Sequence, residues 1–182
     1  MPNHTIEEIV LHIGMHKTGT TSIQSSLDGY DDGRVRYAHL GNANHGETVR
    51  HAYDRNFDHI FQPLMAKTPR KHAETMSSIR AALHRELGGR QRQKLIISGE
   101  TLPLLSVDDL KCFYADLSAY AKKVTAIAYI RDPVSYISSM FAQNVHGGVY
   151  PRVVKTFYRE KFEKFIVLLG RTNVEFRVYD KR

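Results

Sequence analysis

Near the start of the chain, Gly14-Met15-His16-Lys17-Thr18-Gly19-Thr20-Thr21-Ser22 sets a lysine between two glycines and follows it with hydroxyl residues. These residue types at this spacing bind anions. The apolar run Ile9 to Ile13 reads as a buried strand, and the residues after Thr20 resume with helical spacing, so the loop feeds a helix N-terminus. There the first N–H groups are unpaired and the macrodipole is positive, which favours a phosphate or sulfate. Lys17 adds a mobile positive charge, Thr18, Thr20, Thr21 and Ser22 offer hydroxyl donors, and Gly14 and Gly19 let the backbone curl around the ligand. His16 lies inside the loop and can shape it. An ordinary strand-to-helix turn would leave this concentration of anion ligands without a purpose.

A nucleotide loop of the Walker type needs its lysine directly after the second glycine, where this chain has Thr20. ATPases and GTPases also hold magnesium through an aspartate at the end of a second apolar strand. Here the apolar run Val124 to Ile130 ends in Arg131, which suits a phosphate better than a metal. Asp132 is a good N-cap and Pro133 suits a first helical position, so a helix is expected right after Arg131. On that helix Val134, Ile137, Phe141 and Val145 share one side, while Ser135, Ser139 and Gln143 share roughly the other. The expectation is that the apolar side packs on the sheet and the polar stripe turns outward beside Arg131.

Together these two segments resemble sulfotransferases that use 3′-phosphoadenosine 5′-phosphosulfate. Residues 14–21 look like that family's 5′-phosphosulfate loop, and Arg131 with Ser139, eight residues on, resembles the pair that binds the donor's 3′-phosphate. The resemblance follows the order of elements through nearly the whole chain, but its strong motifs occupy only the first loop and the Arg131 region. It implies a P-loop-like, three-layer α/β fold with a mostly parallel central sheet. It also implies donor contacts from His16, Lys17, Thr18, Gly19, Thr20, Thr21, Ser22, Arg131 and Ser139, with Lys17 on the bridging oxygen of the transferred group. Family members continue beyond the strand that Val174 to Tyr179 resembles, so the single domain expected over residues 1–182 is expected to be truncated at its C-terminal end.

Sulfuryl transfer needs charge stabilisation at the leaving oxygen, in-line positioning, and a base for the acceptor proton. Glu100 follows the apolar run Leu95 to Ser98 and should emerge at the carboxyl edge of the sheet, where α/β domains bind ligands. Some relatives in the resembling family use a histidine after that strand and several glycan sulfotransferases a glutamate. Glu100 is the favoured base. His45, in the polar loop Gly41 to Gly46, is the second candidate because its intrinsic pKa is near neutral, although a structurally bonded loop histidine is the commoner case. The acceptor is read only as a hydroxyl or amine of a carbohydrate, lipid-linked or small molecule. Two alternatives stay open: a catalytically weak nucleotide- or polyanion-binding fragment of the same fold, and a P-loop small-molecule kinase.

Composition bounds these readings. The 182 residues carry a net charge of +7 with 42% hydrophobic and 25% charged residues, which suits a globular domain with one core. The positive balance would favour an acidic donor nucleotide and an anionic acceptor; its spread over Arg90, Arg92 and Lys94 and over Arg152 to Lys164 gives no specific nucleic-acid signature. The lone Cys112 cannot form an internal disulfide, so a reducing, cytoplasmic setting and a buried structural thiol are expected. No leader and no membrane-length apolar run is read, no metal-ligand spacing is found, and oligomeric state is left open.

The elements that must position the loop follow from periodicity. A first helix runs to about Leu27, and a short strand spans Val35 to His39. A weak helix covers Glu47 to about Ala66. Another starts at Thr68-Pro69 with a core stripe of Met76, Ile79, Leu83 and Leu87. Ser106 with Asp109 caps a helix whose stripe is Val107, Leu110, Tyr114, Leu117 and Ala121. A last helix carries Val154, Tyr158, Phe162, Phe165 and Leu169 and stops at Gly170, before the strand Val174 to Tyr179.

Overall fold

A computed structural model describes residues 5–55, 69–89, 92–148 and 156–180. Five strands, β1 (Ile6–His12), β2 (Val35–Tyr37), β3 (Arg92–Ser98), β4 (Ala121–Ile130) and β5 (Val174–Val178), form one sheet in the order β2-β3-β1-β4-β5. Every pairing is parallel, with Leu11 level with Ile97 on one side and Ala126 on the other. The sheet is thus wholly parallel where a mostly parallel one was expected. Parallel strands need crossovers, supplied by α1 (Thr20–Leu27), α2 (Gly46–Tyr53), α3 (Pro69–Leu87), α4 (Val107–Ser118), α5 (Pro133–His146) and α6 (Tyr158–Leu169). The step from β1 to β2 runs opposite to the steps toward β4 and β5. Right-handed crossovers therefore place α1 on one face and α4 and α6 on the other.

The core lies where the central strands meet the α4 and α6 layer. Ile9, Leu11, Ile13, Leu95 and Ile97 are at most 2% exposed and pack with Leu83, Leu87, Phe113 and Phe165. Burying each side chain of this size contributes roughly 1.5 to 3 kcal/mol before entropy is counted. Local chemistry sets the helix starts. The Ser106 hydroxyl accepts from the Asp109 amide at 3.1 Å, and the Asp132 carboxylate accepts from the Ser135 amide at 2.9 Å with Pro133 next in line.

Three packing expectations fail. On α5, Val134, Ile137, Phe141 and Val145 are exposed, Val134 at 72%, while Tyr136 is buried and Ser135 and Ser139 are half-buried. Arg131 holds Ser135 inward and Tyr136 packs edge-on against Tyr158, so the helix is rotated by its polar anchor rather than by its apolar stripe. On α4 the buried set is Leu110, Phe113 and Leu117; Val107 is exposed, and Ala121 belongs to β4. Cys112 on the same helix is exposed, not a buried thiol. The expected helix beyond Arg55 to Ala66, together with Thr68, Arg90, Arg152 and Val154, lies outside the described residues.

Candidate active site

Four segments converge at the carboxyl edge of the sheet: the loop after β1, Glu100 after β3, Arg131 after β4 and Tyr179 after β5. This is the edge at which open α/β sheets bind ligands. The β1 loop is tightly wound. Thr18 and Thr20, each at most 2% exposed, both donate their hydroxyls to the Met15 carbonyl, at 2.7 and 3.1 Å. Their hydroxyls therefore build the loop, and it is Thr21 and Ser22 that lie exposed in the first turn of α1. A Cβ on Gly14 would stand 2.6 Å from the Thr20 hydroxyl oxygen, so this close approach requires glycine. Gly19 caps α1 at φ 73° without any side-chain cap, leaving the helix's first N–H groups open to an anion.

Lys17 also has a left-handed backbone, φ 66°. For a residue with a side chain this costs about 1 to 2 kcal/mol, so something must hold it. Arg131 does: its Nη1 donates to the Lys17 carbonyl at 2.9 Å across 114 residues of sequence. The same guanidinium donates from Nε to the Ser135 hydroxyl at 2.8 Å and lies 5.7 Å from the centroid of the Tyr179 ring. Tyr158 fixes the arginine's backbone through a 2.6 Å bond to its carbonyl. Tyr179 in turn covers Gly19, where a Cβ would come within 3.2 Å of the ring. Arg131 bonds Ser135 and not Ser139, which lies one turn further along the same face of α5.

Glu100 is half-buried, with its carboxylate 3.3 Å from His16 Nδ1. The hydrogen bond from His16 lowers its pKa against the upward push of burial, and the positive charge of Lys17 adds to the lowering. The group is therefore a carboxylate at neutral pH, able to take a proton. His45 is placed differently: it is fully buried, stacked on Tyr37 at 4.6 Å, and clamped to β3 by two bonds. Its amide donates to the Ser98 carbonyl at 2.8 Å, and its Nδ1 accepts from the Ser98 amide at 3.1 Å. No substrate atom can reach it without opening the fold.

Sequence reasoning missed Ser135 as the arginine's partner, Tyr158 and Tyr179 as its supports, and a buried polar cluster beneath the loop. In that cluster Gln24 of α1 donates to the Ser98 hydroxyl at 3.1 Å, and the same hydroxyl is hydrogen-bonded to His12 Nδ1, 2.7 Å away. The signal for this cluster was the polar character of His12 and Ser98 at the ends of two apolar runs. Burial pushes both His12 and His45 down to about 4. Both are neutral in the fold and would bind protons near pH 6.5 when unfolded. Stability is therefore full above about pH 6.5 and falls as pH drops toward 4, by up to about 1.4 kcal/mol per pH unit for each group. Urea unfolding at pH 7.5, 6.0 and 5.0 should show this decline, and His45→Asn should remove about half of it, leaving the share of His12; a pH-independent midpoint would contradict the burial of neutral imidazoles.

Among the described residues no three His, Cys, Asp or Glu side chains gather as a metal site, and no helix is long and apolar enough to cross a membrane. No protein-family model matches the sequence, and no curated protein matches it. Solved structures do resemble the fold. A sulfotransferase from Alicyclobacillus acidocaldarius superposes with a TM-score of 0.56 at 12% identity, over 93% of this chain and 72% of that one. A sulfotransferase domain from the curacin biosynthetic pathway gives 0.48 at 13% identity, over 98% and 68%. A protein of the PezAT toxin-antitoxin system of Streptococcus pneumoniae gives 0.46 at 16% identity, over 100% and 70%. At such identities the likeness shows the fold alone: an α/β architecture of the P-loop-like kind in which sulfotransferases are built.

Proposed function

We propose that this chain is a sulfotransferase that moves a sulfuryl group from 3′-phosphoadenosine 5′-phosphosulfate to a hydroxyl or amine of a carbohydrate, lipid-linked or small-molecule acceptor. One observation carries the reading: the lysine loop after β1 and the strand-end arginine after β4 are joined by the bond from Arg131 to the Lys17 carbonyl. That bond brings the two segments side by side, which supports reading them as one cradle for a donor with phosphate at both ends. The open first turn of α1, with Thr21 and Ser22, would hold the phosphosulfate, and Lys17 would neutralise charge growing on the bridging oxygen as the S–O bond breaks. The unused N–H groups of Arg131, with Ser139 beside them, would receive the 3′-phosphate.

Glu100 would accept the acceptor's proton as its oxygen attacks sulfur. Held low by His16, it gains basicity once the acceptor displaces that imidazole. Glu100→Gln should lower turnover by roughly 10²- to 10³-fold with donor affinity unchanged. Full activity in that variant would move the base to His16, since His45 is sealed inside the fold. The kinase alternative keeps one support, because Glu100 stands after β3, beside β1, where a carboxylate could also hold magnesium. Calorimetry separates the two readings: metal-independent binding of 3′-phosphoadenosine 5′-phosphate is expected, and a preference for ATP-magnesium would sink the proposal.

A further inference from the structure

The small pocket lined by Glu100 and His16 is lined as well by Lys161 of α6, with Pro103 and Leu104. The neighbouring cations of α6 are engaged elsewhere. Arg159 pairs with Glu163 at 3.0 Å, and Lys164 donates to the carbonyls of Pro103 and Leu105. Lys161 is half-buried, and its ammonium has no hydrogen bond and no carboxylate partner among the described residues; it stands 5.7 Å from the centroid of the Tyr136 ring. Burial lowers its pKa with no carboxylate to offset the loss. An ammonium that gives up water without gaining a counter-ion is completed by an incoming anion.

Which anion follows from position. Neither Arg131 nor the hydroxyls of residues 18–22 line this pocket, whereas Glu100 does. Lys161 therefore stands on the side where an acceptor must bring its hydroxyl to lose a proton. We propose that Lys161 recognises an acid group carried by the acceptor close to its reacting hydroxyl, which makes the substrate an anionic sugar or similar polyol. This rests on the reading of Glu100 as base. A glutamate alone would repel such a substrate; the Lys161 ammonium in the same pocket offsets that charge.

The test is made on the full chain saturated with 3′-phosphoadenosine 5′-phosphate, titrating methyl β-glucuronide, glucose 6-phosphate and methyl β-glucoside by nuclear magnetic resonance. At least one anionic sugar should bind about tenfold more tightly than the glucoside, the worth of one charge-assisted contact. Lys161→Met should erase that preference with nucleotide affinity unchanged, and Lys161→Arg should keep it. Lys161→Gln replaces the methionine variant if the latter fails to fold. The proposal is overturned if neither anionic sugar outbinds the glucoside, or if the preference survives loss of the charge. Failure of the wild-type chain to bind the nucleotide would instead sink the sulfuryl-transfer reading, and the sugars are then ranked on the nucleotide-free protein.

Discussion

Lys17→Ala should lower sulfuryl-transfer turnover by roughly 10²- to 10³-fold, the usual effect of removing one preorganised charge from a transition state. The reason lies in how the residue is held. Its left-handed backbone is tied by Arg131, so the side chain leaves the loop from a fixed origin. No reorganisation is then needed when charge develops. Stability should move little, because alanine carries the same backbone strain, whereas Lys17→Gly should raise it by about 1 kcal/mol while being equally inactive. Turnover with the donor and urea unfolding, measured on both variants, separate the two effects. Wild-type turnover in either would remove Lys17 from the chemistry.

Gly99→Ala should destabilise the chain by about 2 to 4 kcal/mol. A Cβ there would stand 2.5 Å from the Gly46 Cα and 2.7 Å from the Gly46 nitrogen. Both are backbone atoms, so no rotamer change relieves the clash. The contact locks the end of β3 against the start of α2, where His45 already holds Ser98 by two bonds and the Gly99 amide donates to the His12 carbonyl at 3.0 Å. Glu100 is the next residue, so activity should fall with stability. Gly29→Ala is the control: its φ of 74° brings strain, but its surroundings are open, and a loss of about 1 kcal/mol is expected. A loss at Gly99 no larger than at Gly29 would show that the backbone yields to the Gly46 contact at little cost.

Local chemistry was legible where it acts over a few residues. The Asp132-Pro133 start of α5, the Ser106 cap of α4 and the stop of α6 at Gly170 all lie where the sequence places them. So does the strand, loop and helix order around Lys17. Helix rotation was not legible. On α5 four apolar residues at helical spacing suggested the buried side, yet the bond from Arg131 to Ser135 and the packing of Tyr136 turn them to the surface. On α4 the expected Leu110 and Leu117 are buried and Tyr114 is half-buried against the core, but Phe113 joins them inside while Val107 and Cys112 face outward. Periodicity gives a helix's amphipathic arc, but contacts distant in sequence select its orientation.

His45 makes the same point for the site. In the sequence it is a histidine in a polar loop and a candidate base; in the fold it is a buried fastener between α2 and β3. By itself, the sequence determined the α/β class, the tight glycine-bounded loop between β1 and α1 and the residue types that meet at the carboxyl edge, because strands, caps and glycine-rich turns are specified by neighbours along the chain. The tertiary structure decided which of those residues touch. It set Ser135 rather than Ser139 on Arg131, joined that arginine to the backbone of Lys17, and brought Lys161 to the pocket of Glu100. Such pairings join residues far apart in sequence, so they depend on sheet order and helix rotation, which no local run of residues encodes.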